Sequence, residues 1–421
     1  MTTEPPEVAG PVAASTEEPG PALLELRDGL PPVVDTESAL ADAVSRLAAD
    51  SGPVAVDAER ASGHRYSTRA YLVQLRRRNA GTVLVDPVAL PDLSPLGSAL
   101  ADAEWVLHAA SQDLACLAEV GMRPSRLFDT ELAGRLLNYP KVGLASMVED
   151  LLGYRMRKEH SAADWSRRPL PETWLRYAAL DVELLGELRD VIAGQLRDQG
   201  KLEWAEQEFA ALAALPPAPP RIEPWRRTSG IQRVRGRRGL AIVRELWQAR
   251  DALARERDIA PGRLLKDAAI CEIAIAQPKD RAALAALPAF RTRGSGRYLG
   301  RWLEAVDRAR RRPDADLPEF APRYEGPPPA RSWPERHPSA AARLALCREV
   351  MRELSDVHAV PVENLLAPDT VRRLAWAPPG SAAEDEVAQL LRTRGARTWQ
   401  VELSARLLAG ALAADSAVPT R

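Results

Sequence analysis

Apolar positions divide this chain into segments of two kinds. Val54, Ala55 and Val56 form a continuous apolar run inside residues 53–59, which predicts a buried strand. "YLVQL" (71–75), "TVLVDP" (82–87) and "EWVLHAA" (104–110) predict three more strands. Short loops separate the first three, so an antiparallel meander is expected. Helical spacing begins before the first strand, where Leu40, Val44 and Leu47 recur on one face. "SQDLACLAEVG" predicts a helix capped by Ser111 and ended by Gly121, and "DTELAGRLLN" one capped by Asp129. A further helical pattern, with Pro171 as its first residue, runs to about residue 198. Strands followed by alternating helix and strand predict an α/β layout.

Beyond residue 220 the pattern is helical throughout. "LAIVRELWQARDALARERD" places Leu240, Val243, Leu246 and Trp247 on one face, and "RYLGRWLEAVDRAR" follows. "AARLALCREVMRELSDVHAVPVENLL" and "WQVELSARLLAGAL" repeat this sense, so two related helical modules are expected. Pro-rich stretches, "LPPAPPRIEP" and "PEFAPRYEGPPPARSWPERHP", read as semi-rigid linkers between the blocks. The expected organisation is a disordered acidic tail (1–30), an α/β domain (31–212), a linker (213–226), a helical domain (227–312), a linker (313–333) and a second helical domain (334–415).

Composition adds a segregation of charge. Residues 221–312 hold 23 Arg and Lys against 10 Asp and Glu, whereas residues 1–220 come out near −12 and residues 313–421 near −2. An acidic block joined to a basic one fits a metal-using enzyme with a nucleic-acid-binding attachment, the alternative being an ordinary Arg-rich surface. No apolar run approaches a membrane span, and the acidic N-terminus lacks the basic and apolar regions of a secretory signal. Cys116, Cys271 and Cys347 have neither metal-ligand spacing nor an even count, so a cytoplasmic location is expected.

The first strand carries Asp57 and Glu59 two positions apart, hence on one face. Two acids side by side in a buried strand repel each other and lose hydration unless a cation joins them. Asp113 follows a later strand, and Asp181 lies four residues after Tyr177 on a helix, so those two share a face as well. Hard oxygen ligands in this number suit Mg²⁺ or Mn²⁺, and a pair of such ions can clamp both oxygens of a phosphodiester displacement. Taken singly, each acid is as readily a solvated edge or a helix cap. Their joint order carries the signal.

That order resembles the DEDD superfamily of 3′→5′ exonucleases, in the subgroup whose third motif carries tyrosine, and within it the ribonuclease D family. "VDAERASGHRYSTRAYLVQL", "LHAASQDLACL" and "KEHSAADWSRRPLPETWLRYAALDVELL" are similar to that family's three motifs. "RELWQARDALARERDIAPGRLLKDAAI" resembles the helical domain shared by RecQ-type helicases and ribonuclease D, the HRDC domain. The resemblance spans roughly residues 35–312, with 334–415 expected as a divergent second HRDC-like copy. It implies a ribonuclease H-like α/β exonuclease domain followed by all-α HRDC-type domains. The implied activity is a 3′→5′ exoribonuclease that trims RNA 3′ ends, such as tRNA precursors, and releases nucleoside 5′-monophosphates. The implied partner is RNA with a free 3′ end; DNA as substrate, or a non-catalytic nucleic-acid scaffold, are the alternatives.

The resemblance also assigns roles. Asp57 would bridge two metal ions, Mg²⁺ or Mn²⁺; Glu59 and Asp181 would complete the first site; Asp113 would hold the second ion directly or through water; Tyr177 would orient the attacking water. Lys158 and Arg167 (or Arg168) stand near the third motif as candidate phosphate contacts. In the basic block Arg235, Arg237, Arg238 and Arg297 could track a phosphate backbone. Trp165, Tyr298 and Trp302 read as packing residues, His108 as a support for the site, and His64 and His160 as loop residues near the motifs.

Overall fold

The structure is a computed structural model that describes residues 20–157, 160, 162–216, 219–291, 295–320 and 326–416. The first domain runs β1 (Ala22–Leu23), β2 (Val33–Val34), α1 (Glu37–Ala49), β3 (Val54–Arg60), β4 (Ala70–Arg77), β5 (Gly81–Val85), α2 (Ser94–Ala99), β6 (Glu104–Leu107), α3 (Leu114–Glu119), β7 (Arg126–Asp129), α4 (Thr130–Leu136), α5 (Leu144–Leu152), β8 (Tyr154–Arg155), α6 (Glu172–Glu183), α7 (Leu185–Asp198) and α8 (Leu202–Ala213). Its main sheet has the order β2-β5-β4-β3-β6-β7. β3, β4 and β5 pair as the expected antiparallel meander, while β6 runs parallel to β3 and β7 parallel to β6. β3 therefore has a neighbour on each side, and Val54, Ala55 and Val56 are at most 3 % exposed. A central strand covered on both faces needs such a continuous apolar run.

Three expectations shift. The strand expected over 104–110 stops at Leu107, and the chain then enters a short 3₁₀ turn, Ala110–Gln112, through Ala109 at φ 59°. Asp113, not Ser111, takes the cap position of α3. The long helix after Pro171 breaks at Leu184 into α6 and α7, with Pro171 outside the first turn. Part of the expected tail is docked as well. β1 pairs with β8, β2 pairs with β5, and Leu24 is buried, whereas residues 1–19 lie outside the described residues.

The helical blocks follow as α9 (Gly236–Arg257), α10 (Pro261–Leu264), α11 (Asp267–Ala276), α12 (Arg281–Ala285) and α13 (Leu299–Arg311), then α14 (Trp333–Arg336), α15 (Pro338–His358), α16 (Val362–Leu365), α17 (Pro368–Trp376), α18 (Glu384–Thr393) and α19 (Thr398–Ser416). Both blocks repeat one local design. α9 and α15 end on a residue of positive φ, Asp258 (46°) and Ala359 (47°). The chain then turns back, Ile259 N bonding Ala254 O at 3.0 Å and Val360 N bonding Ser355 O at 3.2 Å. A four-residue helix and a longer one follow in each. The linker ends are anchored by tryptophan: Trp225 is buried in the core of the 236–311 block, and Trp333 in the core of the other.

The two blocks attach to the α/β domain by different physics. Residues of α14–α19 share one apolar core with the sheet. Trp204 stacks on Trp399 with centroids 4.9 Å apart, and Lys201 donates to the carbonyls of Leu136 (2.9 Å) and Ala359 (3.1 Å). The 236–311 block keeps its own core and meets the loop after β3 through polar bonds. Asp258 accepts from the amides of Tyr66 (3.2 Å) and Ser67 (3.1 Å) and from the Tyr71 hydroxyl (3.4 Å). Arg263 donates to the Gly63 carbonyl at 2.8 Å, and the Ala260 amide to the His64 carbonyl at 3.0 Å. No helix among the described residues is long and apolar enough to cross a membrane.

This difference predicts separable stability effects. Trp399→Ala removes a fully packed aromatic ring and should destabilise the shared core by ~3 kcal/mol, read as a lower denaturant midpoint. Asp258→Ala should leave that midpoint in place and raise proteolytic cutting between residues 213 and 236. Equal effects of the two variants on the midpoint would contradict the two-core description.

Candidate active site

The site lies on one face of β3. Asp57 and Glu59 leave the strand on the same side, and α6 crosses that face, packing on β3, β4 and β5. Tyr177 and Asp181, one turn apart on α6, point down onto the two acids. One carboxylate oxygen from each of Asp57, Glu59 and Asp181 lies within 4.8 Å of the others. The Tyr177 hydroxyl faces the Asp181 carboxylate. Asp113 approaches from the loop after β6. It is 5 % exposed, its side chain does not cap α3, and it faces the Arg60 guanidinium, with Nε to Oδ1 at 3.4 Å.

The electrostatics follow from crowding. Burial pushes the Asp57 carboxyl up to about 6, against the Ala58 amide and the Arg60 charge. Burial, then Asp57, Asp181 and Asp113 in turn, push Glu59 up to about 10. Asp113 rises to about 8 through burial and Asp57, opposed by Arg60. Asp181 is raised well above the usual carboxylate range by burial and by Asp57, and Tyr177 is raised by burial and then by Asp181, so the phenol stays neutral. Without a cation the protein must hold protons here to relieve the repulsion. A compact set of hard, proton-loaded oxygens with room for a shared partner fits a hard divalent cation such as Mg²⁺ or Mn²⁺ and does not fit a thiolate-preferring metal.

The support is local and specific. Tyr177 sits in an aromatic cluster: Trp165 is fully buried with its ring 6.4 Å from that of Tyr177, and the His160 ring meets Tyr177 edge-on at 6.0 Å. The lead-in to α6 is fastened by Arg168, which donates to Asp86 at 2.6 and 2.7 Å and to the carbonyls of Tyr71 (2.7 Å) and Trp165 (2.8 Å). Arg168 is thus a structural clamp and is not aimed at phosphate. His108 is held low, at about 4, by burial, and its Nδ1 lies 2.9 Å from Thr130 Oγ1. Asp129 caps α4 as expected and also accepts from the amides of Ala109 (3.1 Å) and Ala110 (2.9 Å), which fixes the turn that carries Asp113.

The basic candidates divide. Arg167, Arg235 and Arg297 are exposed, Arg297 lying over the Tyr298 ring at 5.5 Å. Arg237 instead reaches the Leu317 carbonyl at 2.7 Å, and Arg238 the carbonyls of Ala309 (2.8 Å) and Arg312 (2.6 Å). Both therefore close the helical module on its following linker, with their donors engaged by carbonyls of the protein itself. Lys158 lies outside the described residues. Tyr298 and Trp302 pack edge-on, and Trp302 is fully buried.

Sequence reasoning missed two residues. Gln74 is the cross-strand partner of Asp57, so both side chains leave the sheet on one face. It is fully buried, and neither amide atom has a hydrogen-bond partner. A polar residue inside "YLVQL" was the available signal. Arg60 was overlooked because it directly follows the D-x-E pair and reads there as a solvated strand end.

Comparisons with known proteins agree with this geometry. Residues 31–197 match the family model described as 3'-5' exonuclease, residues 239–306 the HRDC domain, and residues 326–412 the model described as 3' to 5' exonuclease C-terminal domain. The chain is 32 % identical over 370 residues to a protein named Ribonuclease D from Acidiphilium cryptum, covering 85 % of this chain and 88 % of that one. A crystal structure of a protein from Bifidobacterium adolescentis superposes with TM-score 0.87 at 40 % identity, over 93 % of this chain and 100 % of that one. The structure of Escherichia coli RNase D, titled an exoribonuclease involved in structured RNA processing, gives TM-score 0.65 at 25 % identity, over 91 % and 98 %. On these grounds the chain belongs to the ribonuclease D family and is a 3′→5′ exoribonuclease.

Proposed function

We propose that this enzyme trims the 3′ ends of structured RNAs, tRNA precursors among them, with two divalent cations, and releases nucleoside 5′-monophosphates. The observation that carries the reading is the gathering of Asp57, Glu59 and Asp181 within 4.8 Å under the hydroxyl of Tyr177. Asp57, Glu59 and Asp181 would hold one cation, and Asp113 would help to hold the second. The cations, when bound, supply charge neutralisation at the phosphate and a more acidic attacking water. Tyr177 positions that water by accepting or donating a hydrogen bond, since its raised pKa excludes it as a general base at neutral pH. Water oxygen attacks phosphorus, the bond from phosphorus to the 3′ oxygen of the preceding nucleotide breaks, and that oxygen takes a proton to leave a new 3′ hydroxyl. The exposed Arg167, Arg235 and Arg297 are suited to guide the strand by its phosphates.

Asp57→Asn should abolish shortening of a 5′-labelled RNA while leaving the circular dichroism spectrum unchanged. Tyr177→Phe should lower kcat on the order of 10²-fold with KM for RNA held. A wild-type time course for Asp57→Asn would end the assignment. Activity on a deoxyribose 3′ end equal to that on a ribose one would move the substrate to DNA.

The pKa shifts add a pH dependence. Asp57, Asp113 and Glu59 titrate higher in the folded, cation-free protein than in the unfolded chain. The folded state therefore binds more protons, and its stability falls as pH rises from the ordinary carboxylate range through about 6 and then about 8. A cation displaces those protons, so its stabilising effect grows over the same range. The difference in Tm between Mn²⁺ and EDTA should be larger at pH 8 than at pH 5.5; a difference independent of pH would contradict the buried-acid picture.

A further inference from the structure

Arg60 occupies a position that the exonuclease chemistry does not require. Pairing between β3 and β4 shifts register between Glu59 and Arg60, so Glu59 faces Leu72, Arg60 faces Ala70, and Tyr71 is left over. Such a bulge twists the strand and re-aims the next side chain. Here the guanidinium reaches the loop after β6, with Nη2 3.4 Å from Gln112 Oε1 and Nε 3.4 Å from Asp113 Oδ1. Asp113 accordingly stands outside the group formed by Asp57, Glu59 and Asp181.

The contact is one of charge without directional bonding. Arg60 Nε is buried and has no hydrogen-bond partner although the Asp113 carboxylate lies beside it. The guanidinium lies on the Asp113 side of the site. A guanidinium held this loosely can exchange one anion for another, and its planar fork also suits a phosphate.

We propose that Arg60 is a positioning residue that serves as the resident counter-charge of Asp113. In the RNA-free enzyme it holds this carboxylate away from a second cation, so that one divalent ion binds tightly at Asp57, Glu59 and Asp181. When RNA enters, the guanidinium transfers to a phosphate of the 3′-terminal segment and Asp113 becomes available to the second ion. This inference rests on the reading that these carboxylates hold divalent cations.

The test counts Mn²⁺ bound to the full-length protein by electron paramagnetic resonance and calorimetry, with and without an RNA whose last linkage is a phosphorothioate. Wild type should bind one Mn²⁺ tightly alone and two with the RNA. Arg60→Met, which keeps the side-chain length and removes the charge, should bind the second Mn²⁺ without RNA at least about tenfold more tightly than wild type does. Arg60→Lys, which restores a cation, should return to one. A purely structural role for Arg60 would leave the count unchanged, so one tight ion in a folded Arg60→Met overturns the proposal, as do two tight ions in RNA-free wild type. Should Arg60→Met fail to fold, Arg60→Gln, which also removes the charge, takes its place with the same expected and overturning counts. Loss of all tight Mn²⁺ binding in wild type would instead remove the underlying reading of the acid cluster, and Asp57→Asn supplies the metal-free baseline for that outcome.

Discussion

Mutual repulsion between buried carboxylates is the constraint on which this structure is organised. Asp57, Glu59 and Asp181 come within 4.8 Å of one another; burial drives each above its usual range, and neighbouring carboxylates push Glu59 and Asp181 further. No isolated strand or helix would hold that arrangement. It persists because β3 is the central strand, with paired neighbours on both sides, and because α6 is pressed across it. The apolar run that buries β3 thus provides the energy that keeps its two acids where water would otherwise disperse them.

The surroundings read as devices that resist this repulsion. Arg168 bridges Asp86 and the backbone carbonyls of Tyr71 and Trp165, fastening the approach to α6 onto β4. Trp165 packs between Tyr177 and Trp174, a ring that cannot shift without opening a cavity. Asp129, itself unavailable to a metal because four backbone amides occupy its oxygens, sets the turn that presents Asp113. Arg60 contributes the nearby positive charge. Each support comes from a different segment of the chain, so the site is a product of the whole α/β domain.

The helical blocks are held to this domain in two ways. One is fused to the α/β domain through a shared apolar core that includes the Trp204–Trp399 stack. The other keeps its own core and is pinned by Asp258 and Arg263 to the 61–69 loop, the segment that leaves the strand carrying Asp57 and Glu59. A basic module is therefore mechanically linked to the catalytic strand by a handful of polar bonds. Such bonds orient the module while adding little to the stability of the core.

Much of this was legible in the residues. Alternation and apolar runs located β3, β4 and β5 and their meander, because short loops leave consecutive strands few other partners. The spacing of Asp57 with Glu59 and of Tyr177 with Asp181 defined shared faces, because the periods of strand and helix are local properties of the backbone. The order of the acids then identified the family. The sequence could not foretell that Asp113 faces Arg60, that Gln74 lies across from Asp57, or that Arg237 and Arg238 turn inward to carbonyls. Those outcomes depend on strand register, a bulge and the packing of segments distant along the chain, and a charged side chain carries no local mark of whether its partner will be water, phosphate or protein. By itself the sequence determined which acids share a face and in what order they follow one another, since the periods of strand and helix are local properties of the chain. Only the tertiary structure decided which of those charges are neutralised from within, because neutralisation requires groups from separate elements to meet within a few ångströms.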